Sequence, residues 1–321
     1  MPTRPRLLLM SHDVPESVVE FLQQSLEVTV MPGSPEALLA NIADYDAFWG
    51  HFGMKVDRAA LERGKPRLRA VCTASTGTDH IDVAAAQQLG IRVLCIKNDY
   101  GLLNSFTATA ECAWMLLLAC QRHFRRANAQ VMSMRWGYDY FGHQLSGKTL
   151  GVVGVGRLGS MVVEYGKAFR MRVLGCDPKP VQIAGVEQVD LDTLLRQSDC
   201  ISLHVHLRPE TRHMIDAAAI AKMKRGAVLI NTARGDLVDE QAVIAALQSG
   251  QLAAFGADTI HDEWAIPTTG SDLIRYAQAH DNVVITPHFG GGTVESITAA
   301  RQFMAKKVVQ FLQTGEELTW P

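Results

Sequence analysis

No stretch constrains this chain more than KTLGVVGVGRLG, Lys148 to Gly159. Leu150, Val152 and Val153 read as a buried strand. It runs into a glycine-punctuated turn, Gly154-Val155-Gly156-Arg157-Leu158-Gly159, that opens a helix. The pattern is the G-x-G-x-x-G fingerprint of dinucleotide sites in its required setting, strand before and helix after. Gly154 allows the tight turn, Gly156 lets backbone approach a pyrophosphate, and Gly159 lets helix and strand pack closely. Phosphates would then meet the orphan N–H groups at the positive end of the helix dipole. Taken alone the string is weak, because glycine-rich turns also serve plain packing.

A test of the fingerprint lies about 20 residues on, where an acidic residue should meet the adenine ribose. The strand Arg172-Val173-Leu174-Gly175-Cys176 ends at Asp177. A carboxylate there accepts from both ribose hydroxyls and repels a 2′-phosphate, which predicts NAD rather than NADP. Lys179 softens that preference by offering a positive charge nearby.

The rest of the chain supplies two alternating series. In the first, strands are predicted at Arg6–Ser11, Glu27–Met31, Tyr45–Gly50, Leu68–Ala74 and Ile91–Ile96. Helices are predicted between them, at 15–26, 34–42, 57–63 and 82–89. The second begins at Thr149, with strands near 149–154, 172–176, 200–205, 227–231, 253–257 and 283–286. Such alternation predicts an α/β fold of two doubly wound parallel sheets. Asp99–Ser105 reads as a loop, Thr107 to Arg122 as an apolar helix, and 294–312 as a closing amphipathic helix. The segment Gln130–Gln144 carries Met132, Met134, Trp136, Tyr138, Tyr140 and Phe141 without periodicity, and reads as an irregular arm with a partner surface.

Composition sets limits on partners. A net charge of -2 over 321 residues suggests neither nucleic acid nor an anionic membrane surface. The cysteines Cys72, Cys95, Cys112, Cys120, Cys176 and Cys200 have no C-x-x-C spacing and lie mostly in apolar runs. They read as reduced thiols of a cytoplasmic protein. The apolar run Leu7–Met10 is too short for a signal peptide, and no stretch is expected to reach the length of a membrane span.

Three positions past strand ends carry chemistry: Arg234 in INTARGDLVDE, Glu263 in ADTIHDE and His288 in TPHFGG. A lone arginine is usually a solvated charge and a lone histidine usually structural. Together with a carboxylate, in a dinucleotide unit, they are the parts needed to pass a hydride to a 2-keto acid. The guanidinium holds the substrate carboxylate bidentately. The imidazolium protonates the developing alkoxide, and the carboxylate orients the ring and favours its charged form.

With these motifs, and with STGTDHID at 75–82 and ATAE at 108–111, the sequence resembles the D-isomer-specific 2-hydroxyacid dehydrogenases through essentially its whole length. The resemblance implies a Rossmann NAD-binding domain at 105–291. It would be inserted into a flavodoxin-like substrate domain made of 1–104 and 292–321. It implies a carboxylate-binding Arg234, an acid/base His288 and a Glu263 that tunes it. Thr76 and Gly77 would present backbone donors to the substrate, with Thr76 close to the nicotinamide. Gly154, Gly156, Arg157, Leu158, Gly159, Asp177, Thr232, Ala233, Asp258 and Gly290 fall where the family meets the cofactor, and Arg234 and His288 border it. The resemblance further implies a small 2-keto or 2-hydroxy acid as substrate. It also implies a homodimer formed through the NAD-binding domain, including the arm.

There are departures. The loop KNDYGLLNSF at 97–106, which would line the substrate pocket, is not a common family version. Around Glu263 the chain reads His261-Asp262-Glu263-Trp264, without the family's usual additional acids and proline. Asp262 is a rival for the carboxylate role, although the offset of five from Asp258 favours Glu263. His204-x-His206 with His213 resembles metal-ligand spacing, but the resemblance sets it beside the nicotinamide ribose, and no metal is expected. Two other readings share the scaffold. A phosphite dehydrogenase would keep the same three residues, and an NADH-sensing corepressor would keep them while turning over little.

Overall fold

Short apolar runs separated by amphipathic helices become two all-parallel sheets, of five and seven strands. The computed structural model describes residues 4–138 and 140–320. The chain divides into two units, Met1–Phe106 with Thr293–Pro321, and Thr107–Gly292.

In the first unit β1 (Arg6–Met10), β2 (Glu27–Val30), β3 (Ala47–Gly50), β4 (Ala70–Cys72) and β5 (Arg92–Leu94) lie in the order β2-β1-β3-β4-β5. That is the flavodoxin-like order, with its switch point between β1 and β3. Three helices in this unit start where a side chain takes up an orphan amide: Ser34 accepts from Ala37, Asp57 from Ala60 and Asp82 from Ala85. The chain returns to this unit with the helix Val294–Thr314, which starts at Thr293 and ends at Gly315 in the left-handed region (φ 81°). Its Ala300, Met304, Val308 and Leu312 join Leu7, Leu9, Trp49 and Cys72 in one core. Lys307, on the same helix, is buried with its Nζ 2.8 Å from Asp99 Oδ2 and 3.1 Å from Glu317 Oε1.

The second unit holds β6 (Thr149–Val153), β7 (Arg172–Cys176), β8 (Val186–Gln188), β9 (Cys200–Leu203), β10 (Ala227–Asn231), β11 (Leu252–Ala257) and β12 (Val283–Ile285). Their order, β12-β11-β10-β9-β6-β7-β8, reverses between β6 and β9. The glycine turn that follows β6 therefore sits at the topological switch point, where open α/β sheets bind ligands. The expected fold class, two doubly wound parallel sheets with a Rossmann-type second unit, is the one observed.

Several local expectations need correction. β8 is absent from the sequence reading because its three residues are mostly exposed and carry no apolar run. Asp99–Ser105 is not all loop, since Tyr100–Leu103 forms one helical turn that buries Leu102 and Leu103. The arm is helical at its start, where the helix Phe124–Met132 runs into it, and Asp139 within it lies outside the described residues. One segment, Tyr100–Gln121, does have the length and apolarity of a membrane span (mean hydropathy 1.3), contrary to expectation. It is interrupted between Leu103 and Ala108, and the helix Ala108–Gln121 puts Ala110, Ala113, Leu116 and Leu117 into the core of the second unit. Half of that apolar window is buried inside the protein.

Candidate active site

The glycine turn fits a dinucleotide phosphate on three observations. Gly154 takes a φ of 89°, and a Cβ there would stand 2.8 Å from the His204 carbonyl carbon. A Cβ on Gly159 would stand 1.9 Å from the Gly154 oxygen, so helix Arg157–Ala168 packs directly on the turn. At Gly156, by contrast, a Cβ would meet nothing within 4 Å, and no side chain caps the helix that Arg157 and Leu158 begin. The turn is closed behind and open in front. Across the switch point, the buried Thr232 hydroxyl has no hydrogen-bond partner, which suits a polar group arriving from a ligand.

Asp177 does more than the sequence reading assigned. Its Oδ2 accepts from the Val155 amide at 2.9 Å and its Oδ1 from the Lys179 amide at 2.8 Å, so it ties the end of β7 to the glycine turn. Each oxygen retains a lone pair for a ribose hydroxyl.

Arg234, Glu263 and His288 arise past the carboxyl ends of β10, β11 and β12, three neighbouring strands. His288 Nδ1 lies 2.5 Å from Glu263 Oε1, with side chains 23% and 17% exposed. The other Glu263 oxygen accepts from the Ile260 amide at 3.3 Å. The Trp264 ring stands 6.0 Å from that of His288, tilted by 32°. Arg234 is half-buried, and its Nη1 donates to the Ala233 carbonyl at 2.7 Å. Asp262, the rival, is exposed and adopts φ 46°, while the next residue supplies the carboxylate that meets His288.

The bracing roles of Asn231 and Asp258 are not visible in the sequence. Asn231 is fully buried; its Nδ2 donates to the Arg234 carbonyl at 2.8 Å and its Oδ1 accepts from the Ala233 amide at 3.1 Å. Asp258, expected at the cofactor, accepts from the Thr286 hydroxyl at 2.6 Å, the Phe289 amide at 3.0 Å and the Gly290 amide at 2.8 Å. It therefore shapes the loop on which His288 sits in the left-handed region (φ 53°), and the Gly290 amide expected to face the cofactor is engaged by Asp258. A buried Asp and Asn at strand ends are the signal that such braces leave in a sequence, and it is easily read as ligand contact.

The remaining sites are simpler. Thr76 is exposed in the loop after β4 of the first unit, where the Ser75 hydroxyl donates to the Gly77 carbonyl at 2.7 Å. His204 shares a hydrogen bond of 2.8 Å with Ser202, and burial pushes its ring down to about 4, which leaves it neutral at ordinary pH. In the arm, Met132, Met134, Trp136, Tyr138 and Phe141 are all exposed.

Residues 114–290 match the family described as D-isomer specific 2-hydroxyacid dehydrogenase, NAD binding domain. That range lies within the second unit, which is thereby an NAD-binding domain. Hydroxypyruvate reductase of Thermotoga maritima is 40% identical over 276 residues, covering 85% of this chain and 87% of that protein. D-3-phosphoglycerate dehydrogenase of Methanocaldococcus jannaschii is 37% identical over 313 residues, 95% of this chain. The chain spans only 57% of the length of that relative. The crystal structure of D-lactate dehydrogenase from Aquifex aeolicus, complexed with NAD and lactic acid, superposes with a TM-score of 0.84 at 30% identity. It covers 98% of this chain and 99% of that one.

Proposed function

The chain belongs to the D-isomer-specific 2-hydroxyacid dehydrogenase family, and on that premise we propose that it interconverts a short 2-keto acid and its D-2-hydroxy acid. The observation that carries the proposal is the 2.5 Å contact between His288 and Glu263, at the carboxyl edge of the sheet that begins with the glycine turn.

When bound, NADH supplies the hydride. A carboxylate can only accept, so Glu263 fixes the proton of His288 on Nδ1 and leaves Nε2 to exchange protons with substrate. In reduction Nε2–H protonates the oxygen that was the keto carbonyl, and in oxidation Nε2 takes the proton back. The Glu263 anion stabilises the imidazolium before transfer. Arg234 pairs two of its donors with the substrate carboxylate, a geometry that a lysine cannot reproduce.

A panel of glyoxylate, hydroxypyruvate, pyruvate and longer 2-keto acids, followed by loss of NADH absorbance, tests the proposal. Turnover of at least one acid, with NADH preferred over NADPH, is the expected result. Tight NADH binding without turnover of any would replace the enzyme by a sensor on the same scaffold.

The proposal includes a homodimer formed through the second unit, with the exposed Met132, Met134, Trp136, Tyr138 and Phe141 as its apolar contact. Sedimentation should give twice the chain mass, and Trp136→Ser should shift it towards the monomer. Cytoplasmic residence is the matching location. Burial pushes the Cys112 and Cys120 thiols up to about 12, which keeps them protonated and slow to oxidise.

A further inference from the structure

A second carboxylate–histidine pair lies beside the first. Asp236, two residues past Arg234, has its Oδ1 2.5 Å from Nδ1 of His261, two residues before Glu263. The His261 amide donates to Glu240 Oε1 at 2.6 Å. Between these contacts the two loops touch through backbone. A Cβ on Gly235 would come within 2.1 Å of the Ile260 carbonyl carbon and 2.5 Å of the His261 nitrogen. Asp236 is held from its other side by Arg212, at 2.7 Å.

Charged groups reach the His261 ring from several elements. Asp236 comes from the Arg234 loop, Glu240 from the helix Glu240–Ser249, and Asp262 from the same loop as His261. Arg212 reaches the far oxygen of Asp236, and Asp272, on the helix Asp272–Ala279, acts on Glu240. The sum around the ring is anionic.

Resting on the roles given above to Arg234, Glu263 and His288, we propose that His261 is a positioning residue for the reaction. Clamped to Asp236, it fixes the loop of the proton-donor pair against the loop of the carboxylate-binding arginine. The spacing of those two functions must match one small substrate, and a displacement of about 1 Å is enough to cost a large factor in rate. A neutral His261 keeps a single hydrogen bond to Asp236, and the imidazolium adds charge assistance. The hydrogen bond to Asp236 raises the ring above its ordinary value of 6.5. The clamp is therefore at full strength below that value and weakens as pH rises through the raised one.

Steady-state keto-acid reduction across about pH 6 to 9.5 tests this with His261→Phe and His261→Asn. His261→Phe keeps a ring but no hydrogen bond. It should lower kcat/KM by about tenfold, leave NADH affinity unchanged, and remove one of the ionisations that limit the wild type on the alkaline side. His261→Asn still pairs with Asp236 but does not titrate. It should recover most of kcat/KM while keeping the flattened profile. A His261→Phe profile that superimposes on the wild type would overturn the clamp, as would a His261→Asn variant that fails to recover. A wild-type protein that reduces no 2-keto acid would instead remove the activity on which the clamp rests.

Discussion

The two units have the same architecture and place their ionisable groups differently. In the first, charge is buried along the closing helix. Lys307 and Asp99 are each 2% exposed, and Arg301, also buried, pairs with Asp13 and donates to the Ala74 carbonyl at 3.1 Å. In the second, the ionisable groups cluster past β10, β11 and β12, partly open to solvent, in the pairs His288–Glu263 and His261–Asp236. A fully buried pair is shielded from anything that might exchange protons with it, so it serves the fold. The His288–Glu263 pair, at about a fifth exposure, is oriented by protein and still open to solvent, and His261 is 60% exposed. Burial thus separates the Lys307–Asp99 pair from the His288–Glu263 pair on one kind of sheet.

Substitutions on the two sides of this comparison should separate cleanly. The largest effect is expected at the working edge. His288→Ala should cut turnover by about a thousandfold while NADH still binds, as read by kcat and by NADH titration. Retained turnover would reject the acid/base role.

On the scaffold side, Lys307→Met leaves the buried Asp99 without its cation, while Glu317 keeps Arg92, and should cost about 3 kcal/mol of stability. Denaturant unfolding measures the loss, and NADH affinity, which belongs to the other unit, should not move. A change in that affinity would break the comparison. Glu263→Gln is smaller. The amide oxygen can still accept from Nδ1, so orientation survives, but the imidazolium loses its anionic neighbour. Reduction should slow by about tenfold, read as kcat. Unchanged turnover would transfer the role to another carboxylate.

A further test, confined to acid pH, concerns His204. Its folded ring refuses a proton down to about pH 4, whereas the unfolded ring takes one up near 6.5. Stability should therefore fall as pH drops through that window. His204→Gln should flatten the dependence of the unfolding midpoint between those limits, and an unaltered slope would assign it elsewhere.

Much of the candidate site was legible because parallel sheets impose a simple rule: ligands bind outside the carboxyl ends of the strands. Arg234, Glu263 and His288 follow apolar runs by a few residues, and the glycine turn follows another. β8 was not legible, since three mostly exposed residues on a sheet edge need no apolar pattern. The roles of Asn231 and Asp258 were hidden for another reason. Their partners are backbone amides, carbonyls and a hydroxyl brought up by folding, and those leave no mark of residue type.

The sequence by itself determined the alternation of strand and helix, the fingerprint at Gly154–Gly159 and the residue types at the strand ends. These follow from local periodicity and from what a glycine permits. Only the tertiary structure decided which carboxylate meets His288. Asp262 and Glu263 are adjacent in sequence, yet the left-handed turn at Asp262 leaves it exposed while Glu263 meets the imidazole. The order β12-β11-β10 likewise brings together loops separated by more than twenty residues, and with them the pairing of His261 with Asp236. Such contacts depend on sheet order and loop geometry, which are properties of the whole folded unit.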